Sequence, residues 1–542
     1  MKPRSAAEQS YRGEPASPGL AMGALVRLAA RTETVAETVE SAGAEKVRLE
    51  VAIGQAKGEL SVLVATSDAM GADILEFQRE LLDDDALAEA AFAAIASGSG
   101  AVAAWRAALG EQIAAYESAD DDYFRARAGD LADLRDRVIA ALTGANDGAR
   151  EELPEGAILL ADDLTPSRFL AMDWRRLGGA ALMAGSRASH VAMLARARGV
   201  PLLTGLQGEP VGLAEESVLD AQDGLLVVSP NAATRALYAK RIAAAQEQHR
   251  RALAAIEQPA VTPAGQRIEV MVNVDDPGAV ADEILAASDG VGLLRTEFLF
   301  IGRPRLPTED EQYAAYVRIL DRLGGKPVVI RTLDVGGDKP LPGINVTAET
   351  NPFLGLRGIR LCLDKPDLFR PQVRALLRAG VNRALRVMLP MIATADELTE
   401  TRQVFDSCLA ELRAERVAAE LPPLGIMVET PAAAIAIDLL DAAFYSIGSN
   451  DLTQYVMAAA RDSGGRVAAL NDPGHPAVLR LIQHVVAHGQ ANARPVSLCG
   501  DMASDPTLLK RLLATGLKRL SVAPAALGRI KLAIAEADPD HG

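Results

Sequence analysis

The run Leu424-Gly-Ile-Met-Val-Glu429 places five apolar or small residues in a row and ends on a carboxylate. A short, continuous apolar run of this kind is typical of a strand that is buried on both faces of a parallel sheet. Seven further runs of similar character lie at residues 268–274, 290–296, 327–334, 385–392, 444–449, 495–499 and 520–522. Helical patterns separate all of them. Eight strands alternating with helices over about 280 residues predict a (β/α)8 barrel.

The predicted strands end on polar residues. A (β/α)8 barrel carries its chemistry at the C-terminal ends of its strands, and a barrel with only a structural role needs no charges on so many of them. We therefore predict one functional site at this rim. The polar residues at these ends are Asn273, Arg295, Glu297, Arg331, Asp334, Glu429, Asn450, Asp451, Cys499 and Asp501.

Two carboxylates at the rim are candidates for a metal site. Glu429 closes the fifth predicted strand, and Asp451 follows the sixth. Carboxylates on neighbouring strands suit a hard cation such as Mg²⁺, which would take its remaining ligands from substrate oxygens and water. The alternative is that both carboxylates are paired with nearby arginines in a structural network.

Four arginines lie at or just beyond the same strand ends. Guanidinium groups bind phosphate and carboxylate through paired hydrogen bonds, and a cluster of them requires anions nearby. Four arginines around two carboxylates indicate a small, multiply charged anion as the substrate. The four are Arg295, Arg331, Arg357 and Arg461.

Cys499 closes the seventh predicted strand, Pro495-Val-Ser-Leu-Cys499, and is expected to face the same rim. A single buried cysteine usually packs as a small hydrophobic residue. At a barrel mouth, however, a thiol can give or take a proton, because its pKa can be shifted into the useful range. Position alone leaves both roles open.

A further candidate lies outside the barrel, in Gly185-Ser-Arg-Ala-Ser-His-Val-Ala-Met-Leu194. The small residues Ala188 and Ser189 leave the His190 imidazole accessible. The Ser189 hydroxyl is expected to fix its tautomer, so that one ring nitrogen is a nucleophile. The apolar run after His190 predicts a helix, whose N-terminus suits a bound phosphoryl group. A buried histidine that merely begins a helix is the alternative.

The N-terminal half divides into helical and mixed parts. Residues 13–23 are turn-rich and lead into a strand at 24–28, and residues 33–142 have a helical pattern without a convincing strand. Short strands then surround His190, at 157–160, 179–183, 201–204, 217–220 and 225–229. Residues 234–258 read as one charged, alanine-rich helix.

These patterns predict a multidomain α/β protein. We expect an α/β domain around His190, a helical bundle inserted into it, a linker helix and a C-terminal (β/α)8 TIM barrel. The corresponding residues are 1–30 with 146–232, 31–145, 233–258 and 259–542.

Composition narrows the classes of function. The 542 residues include 56 Lys and Arg against 72 Asp and Glu, a net charge of −16. This balance argues against nucleic acid or an anionic membrane as the main partner and suits a basic protein partner. Three cysteines without metal-type spacing indicate a reducing compartment. The first ten residues are polar, unlike a signal peptide, and no apolar run reaches the roughly 20 residues that span a bilayer. We expect a cytoplasmic protein.

Several strings resemble one known family over nearly the whole chain. Residues 185–201 resemble the phosphohistidine signature of enzymes that exchange phosphoryl groups with phosphoenolpyruvate. Asp289-Gly-Val-Gly-Leu-Leu-Arg-Thr-Glu-Phe-Leu299 and Gly448-Ser-Asn-Asp-Leu-Thr-Gln-Tyr455 resemble the barrel of Enzyme I, which starts the bacterial phosphotransferase system. The strings at 331–339 and 351–360, the opening at 16–19 and the helical insert are similar too.

The resemblance implies a swivelling α/β domain in which His190 is phosphorylated, and a barrel that binds phosphoenolpyruvate. It implies that Glu429 and Asp451 bind Mg²⁺, and that Cys499 protonates the enolpyruvate carbon to release pyruvate. The helical bundle would dock HPr, the small phosphocarrier protein of the family, and the barrel would form a homodimer. The residues implied to hold phosphoenolpyruvate are Arg295, Arg331, Arg357, Asn450, Asp451 and Arg461.

The chain departs from the family pattern at four positions. Ser186 stands where a second glycine is usual, and Ala188 stands where Thr or Ser is usual. These two changes concern the stabilisation of a phosphohistidine. Ala460 stands where Asp is frequent, and Gln78 stands where a histidine is frequent. The change at Gln78 concerns the identity of the carrier.

Two other functions share parts of the pattern. Phosphoenolpyruvate synthases and pyruvate phosphate dikinases have the same histidine domain and barrel, but they need a sizeable ATP-binding domain before the histidine. The 189 residues before His190 are mostly helical and lack a Gly-rich phosphate loop. A non-catalytic regulator is disfavoured by the full set of Arg, Glu, Asp and Cys candidates. The sequence leaves open whether the carrier serves sugar uptake or nitrogen-type regulation. Enzymes of the nitrogen type often carry an N-terminal sensory domain, for which the residues before the predicted α/β domain leave no room, so sugar uptake is favoured.

Overall fold

The computed structural model describes residues 7–28, 39–67, 69–83, 85–117, 122–144, 153–187, 189–210, 214–300, 305–336, 349–460 and 465–537. The chain divides into two compact units, Met1–Gln246 and Glu247–Gly542. In these ranges, no helix is both long and apolar enough to cross a membrane. The finer division of the first unit into separate domains stays a prediction.

The first unit opens with the short strands β1 (Gln9–Arg12), β2 (Glu14–Ser17), β3 (Leu20–Gly23) and β4 (Leu25–Arg27). Helices follow at α1 (Ala42–Thr66), α2 (Ala69–Asp83), α3 (Asp85–Ala96), α4 (Ala101–Glu117) and α5 (Asp122–Thr143). The chain continues through β5 (Ile158–Ala161), α6 (Pro166–Ala171), β6 (Gly179–Leu182), α7 (His190–Arg198), β7 (Leu202–Thr204), β8 (Ser217–Asp220), β9 (Leu225–Val228) and α8 (Ala232–Ala255).

The described strands of this unit form two sheets. One has the order β2-β7-β6-β5-β4, with β2 antiparallel to β7 and the other neighbours parallel. The other is antiparallel, with the order β1-β9-β8-β3. The strands predicted around His190 are present. The turn-rich prediction for residues 13–23 was wrong, because that segment holds β2 and β3. Pairing with β7 and β8 outweighs the weak strand preference of its Pro and Gly residues.

Helices α1 to α5 form the predicted helical insertion. They lie in the chain between β4 and β5, which are parallel neighbours in one sheet. The helices pack around a core of their own, in which Leu49, Leu60, Trp105 and Leu134 are fully buried. The block is therefore an insertion into the α/β part.

The second unit contains the predicted barrel. Its strands are β10 (Glu269–Val274), β11 (Val291–Leu294), β12 (Val328–Arg331), β13 (Leu385–Leu389), β14 (Leu424–Val428), β15 (Tyr445–Gly448), β16 (Val496–Cys499) and β17 (Arg519–Val522). All neighbours are parallel, and β17 pairs with β10 to close the barrel. Each of the eight predicted strands is present.

Helices surround the barrel. Two of them begin at capping boxes, Thr308 with Glu311 and Thr394 with Glu397, in which each side chain satisfies a backbone N–H of the other residue. A five-residue helix at Pro431–Ile435 is followed by a 3₁₀ turn at Ile437–Leu439. The helices are α9 (Asp282–Ala287), α10 (Glu309–Arg322), α11 (Ile359–Asp364), α12 (Pro366–Ala379), α13 (Ala395–Ala414), α14 (Pro431–Ile435), α15 (Ser449–Met457), α16 (Gly465–Ala468), α17 (Pro476–Ala491), α18 (Leu509–Ala514) and α19 (Leu527–Ala535).

The barrel interior is filled by side chains. Because successive residues of a strand point to opposite faces, every second residue faces inward, and the alternate residues pack against the helices. One buried inward-facing layer lies below the strand ends. It consists of Leu293, Val329, Met388, Met427, Phe444 and Cys499.

Candidate active site

The predicted rim is built where the barrel strands end. Arg331 is the last residue of β12 and Cys499 is the last residue of β16, whereas Glu429 follows β14 directly. Asn450 and Asp451 lie in the first turn of α15, which begins immediately after β15. The parallel strands therefore bring residues that are far apart in sequence to the same end of the barrel.

Two rim arginines are bonded to carboxylates. Arg331 donates from Nη1 to Asp334 Oδ2 at 2.8 Å and from Nη2 to Glu297 Oε1 at 2.9 Å. Arg357 donates to both oxygens of Asp334, at 2.9 and 3.2 Å, and its Nη1 lies 3.4 Å from Asp451 Oδ1. Burial opposes ionisation of Asp334, yet the two guanidinium charges lower its pKa. Asp451 thus has the arginine partner that the structural alternative expects.

Glu429 has a different environment. Its side chain is buried, and Oε1 accepts a hydrogen bond from the backbone N–H of Met391 at 2.7 Å. Met391 has a φ of 59°, a left-handed conformation that is rare for a non-glycine residue and is often found at functional sites. Among the described residues, none is a hydrogen-bond partner of Glu429 Oε2. Burial, together with the charges of Asp334 and Asp451, raises the pKa of Glu429 to about 8.

The cluster carries more negative than positive charge. Its four carboxylates face two guanidinium groups, which leaves a formal excess of two negative charges when all are ionised. The charge of Arg295 also acts on Asp334, but the ion pair of Arg295 with Asp275 offsets it. A hard divalent cation would offset that excess, and the buried Glu429 Oε2 is a suitable oxygen ligand. The members of the cluster are Glu297, Asp334, Glu429, Asp451, Arg331 and Arg357.

The other predicted substrate ligands are not part of this cluster. Arg295 forms an ion pair with Asp275, which is itself mostly exposed. The Asn450 amide donates to Asp501 Oδ2 at 3.1 Å, and its oxygen accepts from the Asp501 backbone at 2.9 Å. Arg461 lies outside the described residues, so its role stays a prediction. Within the described ranges, no group of three or more His, Cys, Asp or Glu is placed to hold a metal ion.

The Cys499 thiol lies inside the barrel, beneath the rim charges. Its side chain is 1% exposed and packs in the apolar inward-facing layer. Sγ accepts a hydrogen bond from Ser446 Oγ at 3.3 Å and lies 3.6 Å from the Ile447 carbonyl oxygen. Burial raises the pKa of Cys499, and the charges of Glu429 and Arg331 still act on the thiol.

His190 is the first residue of α7, and its side chain is 14% exposed. Its Nδ1 lies 2.9 Å from Oδ1 of Asp130, a fully buried carboxylate on α5. Because an ionised carboxylate can only accept a hydrogen bond, Nδ1 carries a proton, and in the neutral ring Nε2 keeps its lone pair. The ring is therefore held with one nitrogen suited to nucleophilic attack.

The loop before His190 differs in one respect from the prediction. The Ser189 hydroxyl does not fix the tautomer; it accepts from the Ala192 backbone N–H at 3.2 Å and so caps α7. Asp130 holds the ring instead. The departure at Ala188 lies outside the described residues.

A second buried aspartate lies on α5, three residues after Asp130. Asp133 accepts hydrogen bonds from the Ser167 backbone at 2.9 Å, from the Ser167 hydroxyl at 2.6 Å and from the Gln78 amide at 3.2 Å. Gln78 is fully buried. Its departure from the family pattern therefore affects this internal cluster and not an exposed docking surface.

Sequence patterns assign no individual role to three acidic residues of these sites, which are Asp130, Glu297 and Asp334. Glu297 and Asp334 were noted at strand ends, so their position was the available signal. The signal for Asp130 was weaker. It stands beside Leu131 and Leu134, which are core residues of a helix, where a charged side chain needs a partner.

Three family models match the chain. The model of the phosphoenolpyruvate-binding domain of phosphoenolpyruvate-utilising enzymes matches residues 249–539. The model of the mobile domain of the same enzymes matches residues 153–224, and the model of their N-terminal domain matches residues 12–127. The matched segments thus include both His190 and the barrel rim.

Proteins named phosphoenolpyruvate-protein phosphotransferase are similar to the chain. The protein of Geobacillus stearothermophilus is 38% identical over 96% of this chain and 92% of its own length. The protein of Bacillus subtilis is 35% identical over 96% of this chain and 93% of its own length. The protein of Haloferax volcanii is 43% identical over 76% of this chain and 73% of its own length.

Proposed function

Because the chain belongs to the phosphoenolpyruvate-utilising enzymes, and within them to the phosphoenolpyruvate–protein phosphotransferases, we propose that it phosphorylates its own His190 from phosphoenolpyruvate. His190 then passes the phosphoryl group to a histidine phosphocarrier protein of the HPr type. The enzyme catalyses the first step of the phosphotransferase system. The observation that carries the assignment of His190 is the 2.9 Å contact of its Nδ1 with Asp130, which leaves Nε2 to attack phosphorus.

We assign phosphoenolpyruvate binding to the barrel rim. Guanidinium groups match both anionic ends of this substrate, its carboxylate and its phosphate. The buried Arg331 Nε lacks an acceptor among the residues described, which supports an anion at this position. The residues assigned to substrate are Arg295, Arg331, Arg357, Asn450, Asp451 and Arg461.

We assign Mg²⁺ to Glu429 and Asp451. The charge excess of the rim cluster and the unsatisfied Glu429 Oε2 support this assignment. Bound Mg²⁺ would supply a Lewis acid that polarises the phosphate and enolate oxygens of the substrate. The Met391 N–H holds Glu429 Oε1, which would leave Oε2 to bind the metal.

Cys499 is assigned the final proton transfer. Loss of the phosphoryl group leaves the enolate of pyruvate, which becomes pyruvate when its methylene carbon is protonated. The position of the thiol beneath the rim charges supports this assignment, and its raised pKa keeps it protonated at neutral pH. Removal of the enolate makes the overall transfer favourable.

An HPr-type carrier is assigned to the helical block. Acidic side chains of α2, Glu76, Glu80 and Asp83, lie on this block, and a chain with a net charge of −16 favours a basic partner. The next two residues, Asp84 and Asp85, are also acidic, and their side chains lie outside the described set. Asp130 places the block beside His190, where a carrier would receive the phosphoryl group.

Incubation of the chain with Mg²⁺, phosphoenolpyruvate labelled in its phosphoryl group, and purified carriers tests the function. The label should first appear on the enzyme and then on a basic carrier, with pyruvate released in equal amount. A parallel incubation with labelled ATP should leave the enzyme unlabelled, because the ATP-dependent dikinase reaction is the rival. Labelling from ATP, or no label on any histidine phosphocarrier, would contradict the proposal.

Asp130→Asn should slow phosphoryl transfer from a phosphorylated carrier to His190 by about a hundredfold or more. An asparagine amide can donate to Nδ1, which favours the tautomer that protonates Nε2 and removes the nucleophilic lone pair. Rapid-quench measurement of label on the enzyme gives the rate. Asp136→Asn on the same helix, where Asp136 is bonded to Arg135, is the matched control and should keep the wild-type rate. Equal rates for both variants would show that Asp130 does not set the tautomer.

We further propose a homodimer through the barrel. Large exposed apolar side chains follow barrel strands, Leu354 after β12, Ile435 and Leu439 after β14, and Leu470 after β15. Exposed apolar side chains of this size are typical of protein interfaces. Ile435→Glu with Leu439→Glu should therefore convert the dimer to monomer in sedimentation velocity. Leu237→Glu, at an equally exposed leucine of α8, should leave the dimer intact, and a dimeric double variant would refute this interface.

A further inference from the structure

The Cys499 thiol is the end of a chain of hydroxyl groups inside the barrel. Ser497 Oγ donates to Ser446 Oγ at 3.1 Å, and Ser446 Oγ donates to Cys499 Sγ at 3.3 Å. The two serines lie on β16 and β15, and both are buried. The Cys499 S–H can in turn donate to the Ile447 carbonyl at 3.6 Å. Sγ therefore accepts a hydrogen bond from a buried hydroxyl group.

The chain of hydroxyls stands beside an apolar layer. Cys499 packs with Leu293, Val329, Met388, Met427 and Phe444, whose side chains have no N–H or O–H group to donate. A thiolate formed here would lose its solvation by water without gaining a compensating donor from that layer. Among the described residues, Ser446 is the one whose side chain donates a hydrogen bond to Cys499 Sγ.

We propose that Ser446, itself held by Ser497, is a positioning residue that stabilises the Cys499 thiolate formed when pyruvate is released. The inference rests on the proposed role of Cys499 as the acid. In this step the S–H bond of Cys499 breaks and a C–H bond forms at the methylene carbon of the enolate. The enolate electron pair makes the new C–H bond, the carbonyl re-forms, and the negative charge moves to Sγ. The thiolate accepts the Ser446 hydrogen bond until it is reprotonated from water.

The direction of this effect follows from the thiol's surroundings. Burial raises the pKa of Cys499, whereas the Ser446 hydrogen bond lowers it. A hydrogen bond to a charged group is stronger than one to a neutral group, so Ser446 stabilises the thiolate more than the thiol. Ser497 orients the Ser446 hydroxyl by donating to its oxygen, which leaves the Ser446 proton directed at sulfur.

Exchange of pyruvate methyl protons in D2O tests the proposal. The full-length protein with Mg²⁺ should catalyse this exchange, because Cys499 takes and returns a proton at the methyl carbon, and proton NMR follows it without carrier or phosphoenolpyruvate. Ser446→Ala should lower the exchange rate by about ten- to a hundredfold, as expected for the loss of a hydrogen bond to a charged group. Ser497→Ala should lower it less, by about threefold, since it removes only the orienting bond. Ser521→Ala, which removes a buried barrel hydroxyl bonded to Asn273, should keep the wild-type rate.

A second measurement separates this role from a structural one. Single-turnover phosphorylation of His190 by phosphoenolpyruvate precedes the proton transfer, so Ser446→Ala should leave its rate unchanged. Exchange by Ser446→Ala at the wild-type rate would overturn the proposal, as would an equal loss in both measurements. If Ser446→Ala does not fold, Ser497→Ala decides by the same two rates. A wild-type exchange rate no higher than that of Cys499→Ala would instead contradict the acid role of Cys499 and remove the basis of the proposal.

Discussion

The His190→Ala protein should accept no phosphoryl group from phosphoenolpyruvate and should pass none to a carrier. Alanine offers no atom that can attack phosphorus, whereas the Nδ1 contact with Asp130 favours the neutral His190 tautomer in which Nε2 is the nucleophile. Phosphoenolpyruvate binding should change by no more than about twofold, because the rim residues belong to the other compact unit.

Two measurements check this prediction on the same protein sample. Label from phosphoenolpyruvate should be absent on His190→Ala at every time point, and calorimetric titration with phosphoenolpyruvate and Mg²⁺ should give the wild-type affinity. His249→Ala, at an exposed histidine of α8, is the matched control and should be labelled normally. Normal labelling of His190→Ala would identify a different acceptor. Loss of binding in a folded His190→Ala protein would mean that the two sites are coupled.

The barrel could be predicted because each of its strands carries the signal locally. The strand predicted from residue 424 is β14, Leu424–Val428, and its alternate residues face the helices and the interior as a buried parallel strand requires. Strands β2 and β3 could not be predicted in the same way. They are four residues long, contain or adjoin Pro and Gly, and are stabilised by pairing with strands some 190 residues later in the chain.

The rim could be located from sequence because the end of a parallel strand fixes the end of the barrel. Arg331 and Glu429 were placed correctly at that end for this reason. Their partners could not be derived, since strand order alone does not tell whether an arginine meets substrate or a carboxylate. Only the structure shows that Arg331 and Arg357 both donate hydrogen bonds to Asp334.

The partner of His190 was beyond the reach of sequence reasoning for a similar reason. Asp130 lies 60 residues before His190, on a helix of the inserted block. Ser189 is adjacent in sequence and has the right chemistry, so it was the natural local candidate. The hydroxyl is instead used to cap α7, because the first turn of a helix leaves backbone N–H groups that need acceptors.

Glu429→Gln should lower phosphoenolpyruvate-dependent phosphorylation of His190 by at least about a hundredfold, because it removes the charge of a proposed oxygen ligand of Mg²⁺. Glutamine keeps the shape of the side chain and an oxygen that can accept from the Met391 N–H. The variant thus changes the charge at Oε2 while preserving the local backbone. Asp451→Asn should have an effect in the same direction.

Magnesium titrations of the phosphorylation rate measure this effect directly. The half-saturating Mg²⁺ concentration should rise strongly in Glu429→Gln, and the maximal rate should fall. Glu269→Gln is the matched control, since Glu269 is a barrel-strand glutamate paired with Arg519 and its exposed ion pair contributes little. An unchanged magnesium dependence in Glu429→Gln, with Glu269→Gln also unchanged, would refute the metal assignment.

Glu429→Gln should make the metal-free protein more stable at pH 8 than the wild type. An ionised Glu429 is a buried negative charge in a cluster that already has more carboxylates than guanidinium groups. Burial and the charges of Asp334 and Asp451 raise the pKa of Glu429 from its ordinary value of 4.5 to about 8. Between these values the folded state binds more protons than the unfolded state, so wild-type stability should fall as pH rises through that window. Glu429→Gln should lose this part of the pH dependence in urea unfolding measured with EDTA.

Added Mg²⁺ should then restore the stability of the wild type and not that of the variant. A cation that binds only the folded state stabilises the folded state, and the variant lacks the proposed carboxylate ligand of Mg²⁺.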